Sequence, residues 1–204
     1  MAPENPLLLV GLCLLVLWLG RLWVEDWRLA CAGRPNPKPF PGATPVAWPV
    51  VAVAVLGAFI LLAVETWGEV ALGVAGEQST VTWLFGLYTL AAAFGEELVF
   101  RGYLVVTRRG RVALWASIVG FSLVFALLHP FLWTWSEDGL ALHLDRKGFF
   151  SSGVVFAGSL WFYAVRFLGS NPERSLIPSI AAHLAKNLGV LVIKFQQGFV
   201  DGWW

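Results

Sequence analysis

Long apolar runs separated by short polar punctuation make up most of the chain: Leu7 to Trp23, Val46 to Trp67, Val81 to Val106, Val112 to His129, Phe149 to Leu168 and Ser175 to Phe195. Each holds about 20 residues, the length a helix needs to cross the hydrocarbon core of a bilayer. In lipid only helices and closed barrels satisfy every backbone polar group. The pattern predicts an all-α polytopic transmembrane bundle of about six spans. The connection from Phe131 to Gly148 is long, and a re-entrant or half-length piece within Phe131–Leu144 would raise the total to about eight membrane segments.

Between the first two runs stand Pro35, Pro37, Pro39, Pro41, Pro45 and Pro49. Proline at that density forbids a helix interior and favours extended backbone, so this is a linker. Pro130 stops the fourth run, while Pro178 is tolerated in the first turn of the sixth. A signal peptide wants a basic lead-in, yet Glu4 precedes the first run without Lys or Arg, so that run reads as a retained helix.

The polar residues that interrupt these runs carry the information. Glu96, Glu97 and Arg101 lie inside the third run, where each charge costs about 2.5–3.5 kcal/mol on insertion scales. Glu97 and Arg101 are four apart and share a helical face, so they can pair. Glu96 is turned about 100° from Glu97 and points elsewhere. A buried ion pair that only fixes packing explains Glu97 and Arg101 but not the second carboxylate. His129 follows Phe125 at the same spacing, and His183 shares a face with Asn187. Intramembrane polar groups face a bundle interior or a wet cavity, so these four elements of polarity are expected to converge. Counted from the polar turns, Glu96 lies roughly 16 Å deep, His183 roughly 13 Å and His129 roughly 26 Å, which makes His129 the outlier.

Composition supports the membrane reading. The chain is 58% hydrophobic and 13% charged, against about 45–50% and about 25% in soluble domains. With a net charge of +1 and no basic run, nothing points to nucleic acid. Cys13, within a span, and Cys31, in a loop, read as free thiols. Trp23, Trp27, Trp48, Trp67, Trp83, Trp133, Trp135, Trp203 and Trp204 fall near run ends, as in an interfacial aromatic belt. Arg28, Arg34 and Lys38 follow the first run and Arg108, Arg109 and Arg111 the third, which predicts those loops inside and both termini outside.

The polar set suits hydrolysis. A carboxylate can act as general base on water, an imidazole can hold that water or pass its proton, and a His and an Asn amide can donate to an oxyanion. No G-x-S-x-G serine and no H-E-x-x-H helix is present, so water is the best nucleophile on offer. A zinc centre built on Glu96, His129 and His183 is one alternative. A transporter or membrane scaffold, with the charges forming an ion path or assembly contact, is another.

E-E-x-x-x-R at Glu96, Glu97 and Arg101, F-x-x-x-H at Phe125 and His129, and H-x-x-x-N at His183 and Asn187 occur in that order. This trio resembles the CAAX-protease and bacteriocin-processing (Abi) family of glutamic intramembrane endopeptidases, over about Phe94 to Leu191. The resemblance implies that Glu96 activates water with His129, that His183 and Asn187 stabilise the oxyanion, and that Glu97 and Arg101 hold the arrangement in shape, with Phe125 packed beside His129. It implies no cofactor, and a membrane-anchored or lipidated protein or peptide as substrate. It divides the chain into residues 1–80, two spans and the proline linker, and 81–204, the catalytic core. Short loops and small size point to a multi-pass protein of a prokaryotic plasma membrane.

Overall fold

Each apolar run becomes a helix that begins where the sequence supplies a cap or a proline. The computed structural model describes residues 5–136 and 139–204. It contains α1 (Pro6–Cys31), α2 (Trp48–Ala71), α3 (Trp83–Glu96), α4 (Gly110–Leu127), α5 (Arg146–Phe167) and α6 (Ile177–Gln196). The side chains of Asn5, Thr82 and Asp145 accept hydrogen bonds from first-turn N–H groups of α1, α3 and α5. Proline occupies the first turn of α1, α2 and α6, where its missing N–H costs nothing.

Among the described residues, five helices are long and apolar enough to cross a membrane: α1, α2, α3 with its continuation to Leu104, α4 and α5. The 20-residue α6 carries His183, Lys186, Asn187 and Lys194, and it packs against α2, α3 and α5. These polar groups are thus carried by a helix that three others pack against. Lys186 is buried there and donates to Glu65 on α2 at 2.7 Å. Around the rim of this core, α1 lies along α3 and α4 along α5.

Four local expectations are corrected. First, α1 runs on to Cys31, which ends a helix rather than lying in a loop. Its last turns carry Asp26, buried where it accepts from the Asn36 amide at 3.0 Å and the Phe40 N–H at 2.7 Å. Second, Trp23 is not an interfacial residue. It is buried, and its indole N–H donates to the Pro41 carbonyl at 3.1 Å. Trp48, Trp67, Trp203 and Trp204 are exposed, as a belt requires. The side chain of Trp135 lies outside what the structure describes.

Third, α2 runs past Trp67 to Ala71, shortening the loop that follows. Glu69 on this added turn pairs with Lys147 of α5 and accepts from Gln78 at 2.6 Å. Fourth, the connection after α4 holds no helix, among the described residues, long and apolar enough to cross a membrane. It forms an antiparallel hairpin, β1 (Trp133–Ser136) with β2 (Gly139–Leu142), pairing Trp133 with Leu142 and Ser136 with Gly139. Strands of four residues fall well short of the about 9–11 that a spanning strand needs. Glu137 and Asp138, expected in this connection, lie outside the described residues.

The proline linker is a fastened strap. The Leu176 N–H donates to the Gly42 carbonyl at 3.0 Å, and the Ser175 hydroxyl to the Thr44 carbonyl at 2.7 Å. Gly42 has φ +64°, and a Cβ there would lie 2.9 Å from the Leu176 nitrogen, so only glycine fits. At the other end of the bundle the C-terminal segment closes on α3. The N–H groups of Val81, Trp83 and Leu84 donate to the carbonyls of Phe199, Gly202 and Trp203 at 2.9, 3.1 and 3.0 Å. These bonds satisfy donors that a helix start otherwise leaves unpaired.

Candidate active site

Within the third span the backbone changes its winding. After Glu96 the chain continues as a π-helix over Glu97–Leu104. Such wide turns are rare and concentrate at functional sites. Widening shifts backbone pairing, and the Phe100 carbonyl accepts the Tyr163 hydroxyl from α5 at 2.7 Å. Sequence periodicity at 3.6 residues per turn gives no warning of this.

The π-helix presents Glu97 and Arg101, both fully buried, with Glu97 Oε1 3.2 Å from Arg101 Nη1. Arg101 Nη2 donates to the Ser159 hydroxyl at 2.6 Å and to the Ser159 carbonyl at 3.3 Å. Aromatic faces surround the cation: Phe125 at 4.6 Å, Tyr163 at 4.8 Å and Phe162 at 5.3 Å from ring centroid to Cζ. A buried guanidinium with too few oxygen partners is stabilised by such faces.

His183 of α6 meets this group. Its Nδ1 lies 2.8 Å from Glu97 Oε1, and its Nε2 lies 3.7 Å from Glu96 Oε2. The carboxylate accepts at Nδ1, so that nitrogen carries a proton. The imidazole is stacked on Phe162 at 4.7 Å with planes 21° apart. The two carboxylates therefore reach the two nitrogens of one ring, from adjacent residues of one helix. They differ in surroundings: the Glu97 side chain is wholly enclosed and that of Glu96 is 39% exposed. Among the described residues Glu96 makes no hydrogen bond shorter than its 3.7 Å approach to His183.

His129 stands just beyond α4. Its Nδ1–H donates to the Phe125 carbonyl at 2.8 Å, which leaves Nε2 as the lone-pair nitrogen. That bond folds the ring back along α4 by about one turn, about 5.4 Å, toward the interior. The Phe125 ring lies 4.8 Å from His129 and 6.0 Å from His183, so one phenyl ring contacts both imidazoles despite the expected difference in depth. Asn187 faces α3, and its Nδ2 donates to the Thr89 carbonyl at 3.0 Å. The amide keeps a second N–H for another acceptor. Among the described residues no three His, Cys, Asp or Glu side chains are grouped to hold a metal ion.

Residues that the sequence patterns do not single out complete the site. Ser159 and Ser122 are fully buried and hydrogen-bonded to each other at 2.9 Å, and Phe162 and Tyr163 wall in Arg101 and His183. The signal available was a serine in the middle of an apolar run. It is a weak one, because serine in a helix commonly bonds its own backbone.

Fold and site define a multi-pass membrane protein with a carboxylate–imidazole centre inside its helices. The family model for Rce1-like type II CAAX prenyl endopeptidases matches residues 78–189, more than half of the chain. The chain belongs to that family, a family of membrane-embedded proteases. The match includes every residue of the centre, from Glu96 to Asn187. No curated protein and no solved structure matches it.

Proposed function

We propose that the protein hydrolyses a peptide bond in a membrane-anchored or lipidated protein or peptide, using water activated by Glu96. One observation carries this reading. Of the two adjacent carboxylates, Glu97 is enclosed and bonded to Arg101 and His183, while Glu96 is partly open and free of a direct hydrogen bond. Glu97 is engaged in holding the site, so Glu96 is the carboxylate that can take a proton from water.

In this mechanism a water proton passes to Glu96, assisted by the lone pair of His129 Nε2. The water oxygen bonds to the scissile carbonyl carbon as the carbonyl electrons move to oxygen. The free N–H of Asn187 donates to that oxyanion, and His183 joins it when Nε2 also carries a proton. Collapse breaks the C–N bond, and the proton on Glu96 goes to the leaving amine. No metal is needed in this sequence of steps. Short loops and small size support a prokaryotic plasma-membrane setting.

The test is turnover of a fluorogenic prenylated CAAX peptide by protein purified in micelles. Replacing a general base costs about 10²–10⁴-fold in rate, and Glu96→Gln is expected to lose at least that much while still accumulating in the membrane. Undiminished turnover by Glu96→Gln would sink the assignment.

A further inference from the structure

Serines inside apolar helices usually turn their hydroxyls onto their own backbone. Ser152 does so, donating to the Gly148 carbonyl at 2.7 Å, and Ser117 donates to Leu114 at 2.8 Å. Ser159 behaves differently. It accepts from Arg101 Nη2 at 2.6 Å and donates to Ser122 Oγ at 2.9 Å. The line continues through Arg101 to Glu97 at 3.2 Å and on to His183 at 2.8 Å. It crosses α4, α5, the π-helix and α6, and His183, the most accessible of its five members, is only 5% exposed.

We infer that Ser159, supported by Ser122, is a positioning residue that fixes the orientation of the Arg101 guanidinium and, through Glu97, of the His183 imidazole. The aromatic faces around Arg101 attract the cation but do not fix its rotation within its own plane. A directional bond does that, and it comes from Ser159, while Glu97, 3.2 Å from Nη1, holds the cation by charge. Arg101 Nε and Nη1 have no hydrogen-bond partner among the described residues, so no other directional bond resists rotation. Without the Ser159 hydroxyl the guanidinium turns, Glu97 Oε1 loses its fixed counter-charge, and the His183 Nε2 no longer faces Glu96 squarely. The backbone carbonyl of Ser159, at 3.3 Å, remains as a poorer acceptor, so the fold persists while the alignment loosens.

The kinetic part rests on the proposed hydrolytic function, and the spectroscopic part does not. The chain has three histidines, so ¹⁵N-histidine labelling in micelles gives few imidazole signals, and removing each histidine in turn assigns them. In Ser159→Ala the His183 Nδ1 proton is expected to exchange about tenfold faster with water, the equivalent of one lost hydrogen bond. On the prenylated CAAX peptide kcat is expected to fall about tenfold with KM within about twofold, the signature of an interaction realised in the transition state. Ser122→Ala should move both readouts in the same direction by less, and Ser159→Thr, which keeps the hydroxyl, should restore both.

An unaltered His183 signal in Ser159→Ala overturns the inference. So does a fall in kcat that tracks the melting temperature alone, with the His183 signal intact. A Ser122→Ala protein identical to wild type removes Ser122 from the proposal. If turnover survives Glu96→Gln, the hydrolytic assignment fails, and the imidazole signal still decides whether Ser159 orients His183.

Discussion

Glu97 and His183 are joined through a single oxygen, Glu97 Oε1, which lies 2.8 Å from the imidazole Nδ1 and 3.2 Å from Arg101 Nη1. That oxygen serves two partners on two helices, whereas its neighbour Glu96 serves none so closely. The two carboxylates should separate experimentally. Glu97→Gln leaves a buried guanidinium without its counter-charge, a change worth about 3–5 kcal/mol. It is expected to lower the melting temperature and the amount of protein recovered from membranes. Glu96→Gln should melt like wild type and lose only turnover. Thermal unfolding of both proteins in the same detergent checks the contrast.

Lys186 and Glu65 clamp α6 to α2 one residue before Asn187. Removing either charge alone leaves the other buried and uncompensated, so Lys186→Met is expected to destabilise by about 3–5 kcal/mol. Replacing both, Glu65→Leu with Lys186→Met, should recover most of that loss, because the desolvation cost of the pair disappears with it. A double-mutant cycle by chemical unfolding measures the coupling.

Tyr163 supports the π-helix through one bond to the Phe100 carbonyl. Tyr163→Phe keeps the ring against Arg101 and strands that carbonyl, at a cost of about 1–3 kcal/mol. Amide hydrogen exchange across residues 97–104 should rise, with α4 and α6 little changed. Uniform exchange across the bundle would show that the bond is not local support.

Water activated by Glu96 with His129 requires no metal, so turnover should survive prolonged dialysis against a strong chelator. Loss on chelation and recovery with added zinc would replace the proposed mechanism with one built on Glu96, His129 and His183 as ligands.

Much of this molecule was legible in its pattern. The six apolar runs foreshadow the six helices, because bilayer thickness sets one length for them all. The Glu97–Arg101 spacing foreshadows their contact, because residues four apart remain neighbours even where α3 widens into the π-helix. Features made by contact between distant segments were not legible. Nothing in the pattern marks Asp26 as the acceptor of the Phe40 N–H. Trp23 reads as part of a belt until Pro41 supplies its acceptor. The hairpin from Trp133 to Leu142 reads only as a long connection, because its two strands are defined by pairing with each other. Ser159 carries no mark of its partner, since the link to Arg101 spans 58 positions of sequence. The depth estimate for His129 followed the backbone and omitted a side chain that turns back on its own helix.

The first turn of α3 takes its last bonding partners from Phe199, Gly202 and Trp203. During biosynthesis the helix bearing Glu96 is threaded into the bilayer more than a hundred positions before those carbonyls leave the ribosome. The N–H groups of Val81, Trp83 and Leu84 therefore wait for these acceptors until the chain beyond α6 has been made and has folded back.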